Sequence, residues 1–319
     1  MHSINSNPET ANEKLKDIAI SGVLRKYRGS SRDIAMQQID RELKIIEEQG
    51  SAAGYLAILD ALNDVRAKPD EFWPKGTAAA TMAAYSLGLS DIDPLILNPK
   101  LYPEFFYGIH GERLPYFELD VTLDLRDRLL DYYEKRQKTE NLTIFGETKR
   151  KRFGIHFWDI SANNAIRGFE TDTAFIHYDT AFFEEIYEEL NAEVLEYCSP
   201  QTYAEYVKCC GFSYGVGVWK ENAETLIRCP EASFDDIIGT REDVYEYLKE
   251  RGMETGLAFK ITELVRKGKI HSFGWTEEML DAMDEASIPI WYRISCEKIQ
   301  YLMSRCQAMM ILKRCNTTI

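Results

Sequence analysis

Three observations predict a mainly α protein with a small β-sheet (α+β). Apolar residues recur at helical spacing through most of the chain, one segment alternates strictly, and glycines stand where helices should stop. Residues 1–10 are polar and predict a disordered tail. Glu13–Tyr27 and Ser31–Glu48 read as two amphipathic helices. Ser31 is placed to cap the second, Ile34, Ile39, Leu43 and Ile46 mark its apolar side, and Gly50 ends it. Ala52–Val65 predicts a third helix. Phe72–Gly76 breaks the pattern, Thr77–Leu87 is alanine-rich and helical with Gly88 as its stop, and Asp91–Pro103 reads as loop. In Leu114–Leu123, Leu114, Tyr116, Glu118 and Asp120 alternate with Pro115, Phe117, Leu119 and Val121, the period of a strand with one apolar face. A helix follows to about Lys135. Residues 137–170 carry the weakest pattern, with a strand at Gly154–Ile160, and from Ala181 onward almost everything reads as helix.

At 319 residues the chain has room for one large domain or two small ones, and a hydrophobic fraction of 45% supplies a full core. No signal peptide or membrane-length apolar run is present, which predicts a cytoplasmic protein without a membrane partner. The 7 cysteines form no CxxC pair, so reduced thiols are expected. His110 and His177 have no partner at ligand spacing and read as surface or loop residues. Phe182, Phe183 and Tyr187 fall at helical spacing beside Ile186 and Leu190 and read as core.

A net charge of −14 argues against a broad nucleic-acid face. The charge is uneven, however. Residues 170–196 hold nine carboxylates and no lysine or arginine, and read as an acidic helix. Residues 149–152 are all basic, and residues 293–314 carry Arg293, Lys298, Arg305, Lys313 and Arg314 against Glu297. An acidic protein can still hold one cationic groove.

Thr240–Lys269 reads as two helices. Thr240 and Asp243 approach a capping box at the start of the first, and Gly252 ends it. Leu257, Ile261, Leu264 and Val265 form one stripe of the second, which stops at Gly268 and carries Arg266 and Lys267 in its last turn. Together with Ala204–Trp219 (AEYVKCCGFSYGVGVW), Asn222–Ile227 (NAETLI), Ile288–Tyr292 (IPIWY) and Cys296–Tyr301 (CEKIQY), this segment resembles the fingers of the Gram-positive-type (PolC) alpha subunit of bacterial DNA polymerase III. The resemblance is collinear over roughly a hundred residues, far more specific than a short motif. It extends more loosely to Leu43–Gly50 followed by Gly54-Tyr55-Leu56, and to Lys75–Leu95.

The resemblance implies a fingers-like helical region attached to a reduced palm: residues 11–170 palm-like with N-terminal helices, residues 171–319 fingers-like. It implies nucleotide binding at Lys75, Gly76 and Thr77, where the family carries a motif like RGS-x-G-S. Small residues there let backbone N–H groups approach phosphate, although Ala79 and Ala80 replace its second Gly-Ser. It implies DNA binding at the basic tip, Arg266, Lys267 and Lys269, and at Arg305. The implied partners are primer–template DNA, nucleotide and replisome proteins.

The implied cofactor is Mg2+, because a polymerase holds two such ions with carboxylates. Here the sequence departs from the family. Its P-D-I-D-L motif corresponds to Pro115-Tyr116-Phe117-Glu118-Leu119, so Tyr116 stands at the first aspartate and Glu118 at the second. Glu118 and Asp120, two residues apart on a strand, form a shifted pair of candidate metal ligands. The family's third aspartate has no clear counterpart, and Asp159 is the candidate for it. The family motif K-A-H-A-A-A-Y appears as Arg305–Ile311 with Gln307 at the histidine, and the closing run LKRCNTTI reads as a natural terminus. Three readings remain open. The first is a degenerate alpha-subunit-like protein, catalytically impaired, with residual DNA, nucleotide or replisome binding. The second is a minimal DNA-directed DNA polymerase using Glu118, Asp120 and Asp159. The third is a non-enzymatic protein-binding module on a polymerase-derived scaffold, using its acidic helix.

Overall fold

The computed structural model describes residues 8–113, 116–140, 144–145, 154–159, 164–170, 175–180, 190–228 and 232–314. The described chain is mainly helical with one small mixed sheet. It divides into two compact units: Met1–Leu95 with Tyr102–Ile186, and Ile96–Leu101 with Tyr187–Ile319.

The first unit opens with α1 (Pro8–Lys26), α2 (Gly29–Glu48) and α3 (Ala52–Asp64). Helix α1 starts inside the stretch expected to be disordered, with Pro8 at a first-turn position where its missing N–H costs nothing. Ser31 does not cap α2. It lies inside the first turn and its hydroxyl donates to Arg28 O at 2.6 Å. Nor is Ile34 on the buried side: it is 56% exposed, and the buried face is Ala35, Ile39, Glu42 and Ile46. The alanine-rich segment splits in two. A 3-10 turn covers Gly76–Ala80, and α4 (Met82–Leu87) begins after Thr81, whose hydroxyl accepts from Ala84 N at 3.1 Å. Gly88 ends α4 at φ 76°, the left-handed geometry a helix stop favours.

The sheet consists of β1 (Phe72–Pro74), β2 (Tyr116–Val121), β3 (Ile144–Phe145), β4 (Gly154–Asp159), β5 (Asn164–Glu170) and β6 (Phe175–Thr180), in the order β1-β2-β6-β4-β5-β3. The β2–β6 and β6–β4 pairs are parallel and the other pairs antiparallel. Alternation gives the sheet one apolar face. Phe117, Leu119, Val121, Ile155, Phe157, Phe169, Ile176 and Tyr178 are all buried, in a core shared with the helices. Two further helices, α5 (Glu104–Tyr107) and α6 (Leu123–Glu140), belong to this unit.

Strand β6 overturns one expectation. Residues 170–196 are not a single acidic helix, because Phe175–Thr180 lies between β2 and β4 in the sheet. Its polar residues alternate with Ile176 and Tyr178, which a sheet can bury and a solvated helix cannot use. The aromatic stripe at Phe182, Phe183 and Tyr187 and the basic run 149–152 lie outside the described residues.

The second unit is helical: α7 (Ala192–Cys198), α8 (Tyr203–Tyr214), α9 (Glu224–Leu226), α10 (Arg241–Glu250), α11 (Thr255–Arg266), α12 (Lys269–Phe273), α13 (Glu277–Glu285), α14 (Ile290–Lys298) and α15 (Arg305–Arg314). The hairpin α10–α11 matches the glycine punctuation, with Gly252 at φ 84° and Gly268 at φ 63°. Among the described residues no helix is long and apolar enough to cross a membrane.

Candidate functional site

The face of the sheet opposite the core is polar, and register decides what meets on it. Glu118 on β2 pairs with His177 on β6, which pairs with His156 on β4. One step along, Asp120 pairs with Asp179. Neighbours in register point to the same side, so Glu118, Asp120, His177 and Asp179 share one face. Asp120 and Asp179 are only 2% and 4% exposed. His177 is likewise a buried strand residue stacked 6.4 Å from His156, not a surface or loop histidine.

Lys75 supplies the counter-charge. Its backbone N–H donates to Glu118 O at 2.7 Å, extending the β1–β2 pairing by one residue. Its Nζ lies 3.1 Å from Asp120 Oδ1 and 2.9 Å from Asp179 Oδ2. Burial alone would lower the lysine's proton affinity, but the two carboxylates override it and hold the ammonium well above the usual lysine range. Asp179 is pushed up, first by burial and then by Asp120 and Glu118, with Lys75 opposing.

This changes what the expected nucleotide-binding residues can do. The Lys75 ammonium is spent on two aspartates. Gly76 takes φ 63° to open the turn, and a Cβ there would meet nothing within 4 Å. The N-terminus of α4 is filled from inside the protein. Glu42 Oε1 accepts from Met82 N at 3.0 Å, and Glu42 Oε2 accepts from Ala83 N at 2.8 Å and from Tyr107 Oη at 3.1 Å. An anion-binding helix end is thereby occupied by a side-chain carboxylate.

The residues present do not fit a two-magnesium centre. Among the described residues no three His, Cys, Asp or Glu side chains are grouped to hold a metal ion. Tyr116, at the position of the first family aspartate, donates its phenol hydrogen to Glu118 Oε1 at 3.0 Å. Lys75 engages both buried aspartates. Asp159 ends β4 in register with Thr180, one step beyond Asp179, and its side chain lies outside the described residues. The carboxylate beside Asp120 is therefore Asp179, which the sequence reading missed. Its signal was the alternation Ile176, Tyr178 against His177, Asp179, obscured by the acidic residues around it.

In the helical unit, the tip of α11 carries Arg266 and Lys267, with Lys269 just beyond. Glu263 compensates the first two: Arg266 Nε donates to Glu263 Oε1 at 3.0 Å, and Lys267 Nζ lies 3.3 Å from Glu263 Oε2. Lys269 Nζ sits 5.4 Å from the centre of the Phe273 ring. A Cβ on Gly268 would come within 2.4 Å of Gln300 O, so only glycine allows this close approach. Arg305 corrects an expectation. It is 5% exposed, its Nη2 lies 2.7 Å from Asp243 Oδ1 and 2.6 Å from Glu246 Oε2, and its Nη1 donates to Lys100 O at 2.7 Å. A guanidinium so enclosed is a buried structural cation, not a surface contact for phosphate. Asp243 also accepts from Thr240 N at 2.7 Å, so the capping residue and the buried cation share one carboxylate.

The first unit packs helices on a mixed sheet that carries a lysine-bridged aspartate pair, and the second is helical and carries a cationic hairpin tip. Residues 13–155 match the family model described as the bacterial DNA polymerase III alpha NTPase domain. The PolC-type DNA polymerase III of Listeria welshimeri is 44% identical over 116 residues, 36% of this chain and 8% of that protein. That of Staphylococcus haemolyticus gives the same identity and shares, and that of Staphylococcus aureus is 41% identical over 119 residues, 37% of this chain and 8% of its own. Over about a third of its own length the chain is similar to PolC-type DNA polymerase III, and it spans about 8% of the length of those proteins.

Proposed function

We propose that this alpha-subunit-like chain is catalytically impaired as a polymerase and acts by binding, with primer–template DNA as its ligand, the fingers-like tip as its contact, and replisome proteins as further partners. The observation that carries this reading is the Lys75 ammonium held between Asp120 and Asp179. A two-metal polymerase needs such carboxylates free to ligate, and loss of ligands from that centre removes both activation of the primer hydroxyl and stabilisation of the leaving group. Tyr116 at the first aspartate position supports the same reading. On this view Mg2+ is not a working cofactor of the chain, and its action is in the cytoplasm.

The test is primer extension on a recessed template with all four nucleotides and Mg2+. No extension above that of an Asp120→Asn/Asp179→Asn variant is expected. Extension that this double variant abolishes would overturn the reading and favour the minimal-polymerase alternative, with Asp179 in the place considered for Asp159. The pairing of Asp120 and Asp179 across β2 and β6 is the observation in favour of that alternative.

A further inference from the structure

We infer that the helical unit carries an acidic pocket that takes an arginine side chain from a basic segment of a partner protein. The lining comes entirely from the second unit and shares no residue with the α11 tip. The inference goes beyond the DNA-binding reading and stands without it, because a pocket of this sign repels phosphate.

Three features carry it. The first is a cavity of about 470 Å3, inside the range of about 300–1,000 Å3 in which small-ligand sites fall. One face of α10 forms a wall of it. Asp243, Glu246, Tyr247 and Glu250 stand there at helical spacing, and the rise of the helix separates the two ends by about 10 Å. The second feature is an excess of acid. Glu205, Asp235 and Asp236 join the three α10 carboxylates in the lining, against Lys100, Lys208 and Arg305. Two of those cations are already engaged. Arg305 is held by Asp243 and Glu246, and Lys208 Nζ donates to the carbonyls of Phe234, Asp235 and Ile237 at 3.1, 2.7 and 2.9 Å. The Asp235 and Glu250 side chains are exposed and make no ion pair among the described residues. The third feature is an open polar group. Tyr247 is 4% exposed, and its Oη makes no hydrogen bond among the described residues. Its ring is stacked on Tyr292 at 3.7 Å and lies 3.3 Å from the Arg251 guanidinium, which leaves the phenol end for a ligand. Burial pushes the phenol's pKa up to about 12, with Arg251 opposing and Asp236 adding to the rise, so the phenol stands near a carboxylate of the same lining. A buried polar atom without a partner is costly, and a donor that reaches both groups relieves the cost. Among the described residues no three His, Cys, Asp or Glu are grouped to hold a metal ion, so these carboxylates suit an extended organic cation. A guanidinium offers five donors in one plane to carboxylates and phenol. Its methylene stem fits against Leu97, an 87% exposed apolar residue of the same lining. The length of the α10 wall leaves Asp235 and Glu250 for a further basic residue of the same segment, which a free amino acid would not supply.

The experiment titrates the full chain into a fluorescein-labelled Gly-Arg-Gly-Arg-Gly peptide at physiological salt, read by anisotropy. Saturable binding to one site is expected. A peptide with citrulline in place of both arginines keeps the shape and removes the charge, and it should bind about tenfold more weakly or not at all. Asp235→Asn/Glu250→Gln should weaken binding of the arginine peptide by about tenfold, and Tyr247→Phe by about threefold, with melting temperatures unchanged. Asp281→Asn/Glu285→Gln removes the same charge from exposed positions of α13 and should leave binding as it is. An equal loss in that control would mean diffuse attraction to a protein of net charge −14 and would overturn the inference. So would the absence of saturable binding at millimolar peptide, equal binding of the citrulline peptide, or full affinity in Asp235→Asn/Glu250→Gln. Spermidine that displaces the labelled peptide with equal or better affinity would assign the pocket to a small polyamine and overturn the protein segment as its occupant.

Discussion

A buried cation that bridges two carboxylates is costly to delete, because its partners stay charged in a place water reaches poorly. Lys75, partly buried, bridges such a pair in the first unit, and Arg305, buried, does so in the second. Lys75→Met is expected to cost about 3–5 kcal/mol, read from urea denaturation, with much of the loss recovered in Lys75→Met/Asp120→Asn/Asp179→Asn. Arg305→Met should lose a similar amount and change the acid limb as well. Burial alone would raise the Asp243 pKa, but Lys208 and Arg305 override it and hold the carboxyl below the usual aspartate range. A depressed carboxylate contributes stability that is present above its unfolded pKa and lost as pH falls through its folded value. Removing Arg305 moves that folded value up, so the acid unfolding midpoint followed by near-UV circular dichroism should shift to higher pH. An unchanged midpoint would mean that Lys208 and the Thr240 N–H set it without Arg305. Neither role is visible in sequence. A cation flanked by small residues or near a C-terminus looks available for phosphate until the carboxylates that enclose it are located, and those lie 45 and 104 residues from Lys75.

Helices, by contrast, were legible wherever periodicity and stops agreed. The α10–α11 hairpin follows its glycines, and α2 and α3 run close to the ranges their apolar spacing indicates. The misread elements are those whose local chemistry competes with their tertiary place. Thr77–Leu87 splits because Thr81 prefers to cap, and β6 pairs in the sheet although its flanks are acidic. Two predictions belong to this level. A Cβ on Gly22 would lie 1.9 Å from Ser86 O, so α1 meets α4 at that glycine. Gly22→Ala should cost about 1–3 kcal/mol and lower the melting temperature, since backbone must move to admit it. Glu42 joins α2 to α4, and burial raises its pKa against the opposing hydrogen bonds from Gln38, Ala83, Met82 and Tyr107. A carboxyl with a raised folded pKa favours the native state at low pH, and that contribution is lost as pH rises from the ordinary glutamate range through the folded value. Glu42→Gln should flatten this decline. It should also lower stability in acid by about 1–3 kcal/mol, because one backbone donor then faces an amide NH2. Urea midpoints across pH would read both effects, and parallel pH profiles for the two proteins would reject the assignment.

Taken as a whole, the molecule presents an electrostatic conflict that decides how it can engage DNA. Its net charge is −14, which repels a polyanion at long range, yet the α11 tip concentrates Arg266, Lys267 and Lys269 against Glu263. Long-range repulsion is screened beyond about 8 Å at physiological salt, so a local contact survives only where cations touch phosphate directly. Binding of a labelled primer–template, followed by anisotropy, should therefore be weak and confined to low salt, with a shallow slope of log affinity against log salt. Each phosphate neutralised contributes about 0.7–0.9 to that slope, so Arg266→Ala/Lys267→Ala/Lys269→Ala should flatten it by about two to three units. Arg305→Lys should leave the slope unchanged, because that charge is enclosed by Asp243 and Glu246. A slope lost with Arg305→Lys and kept in the triple variant would move the contact away from the hairpin. No binding even at low salt would remove DNA from the proposed function and leave protein partners as what the retained helical scaffold serves.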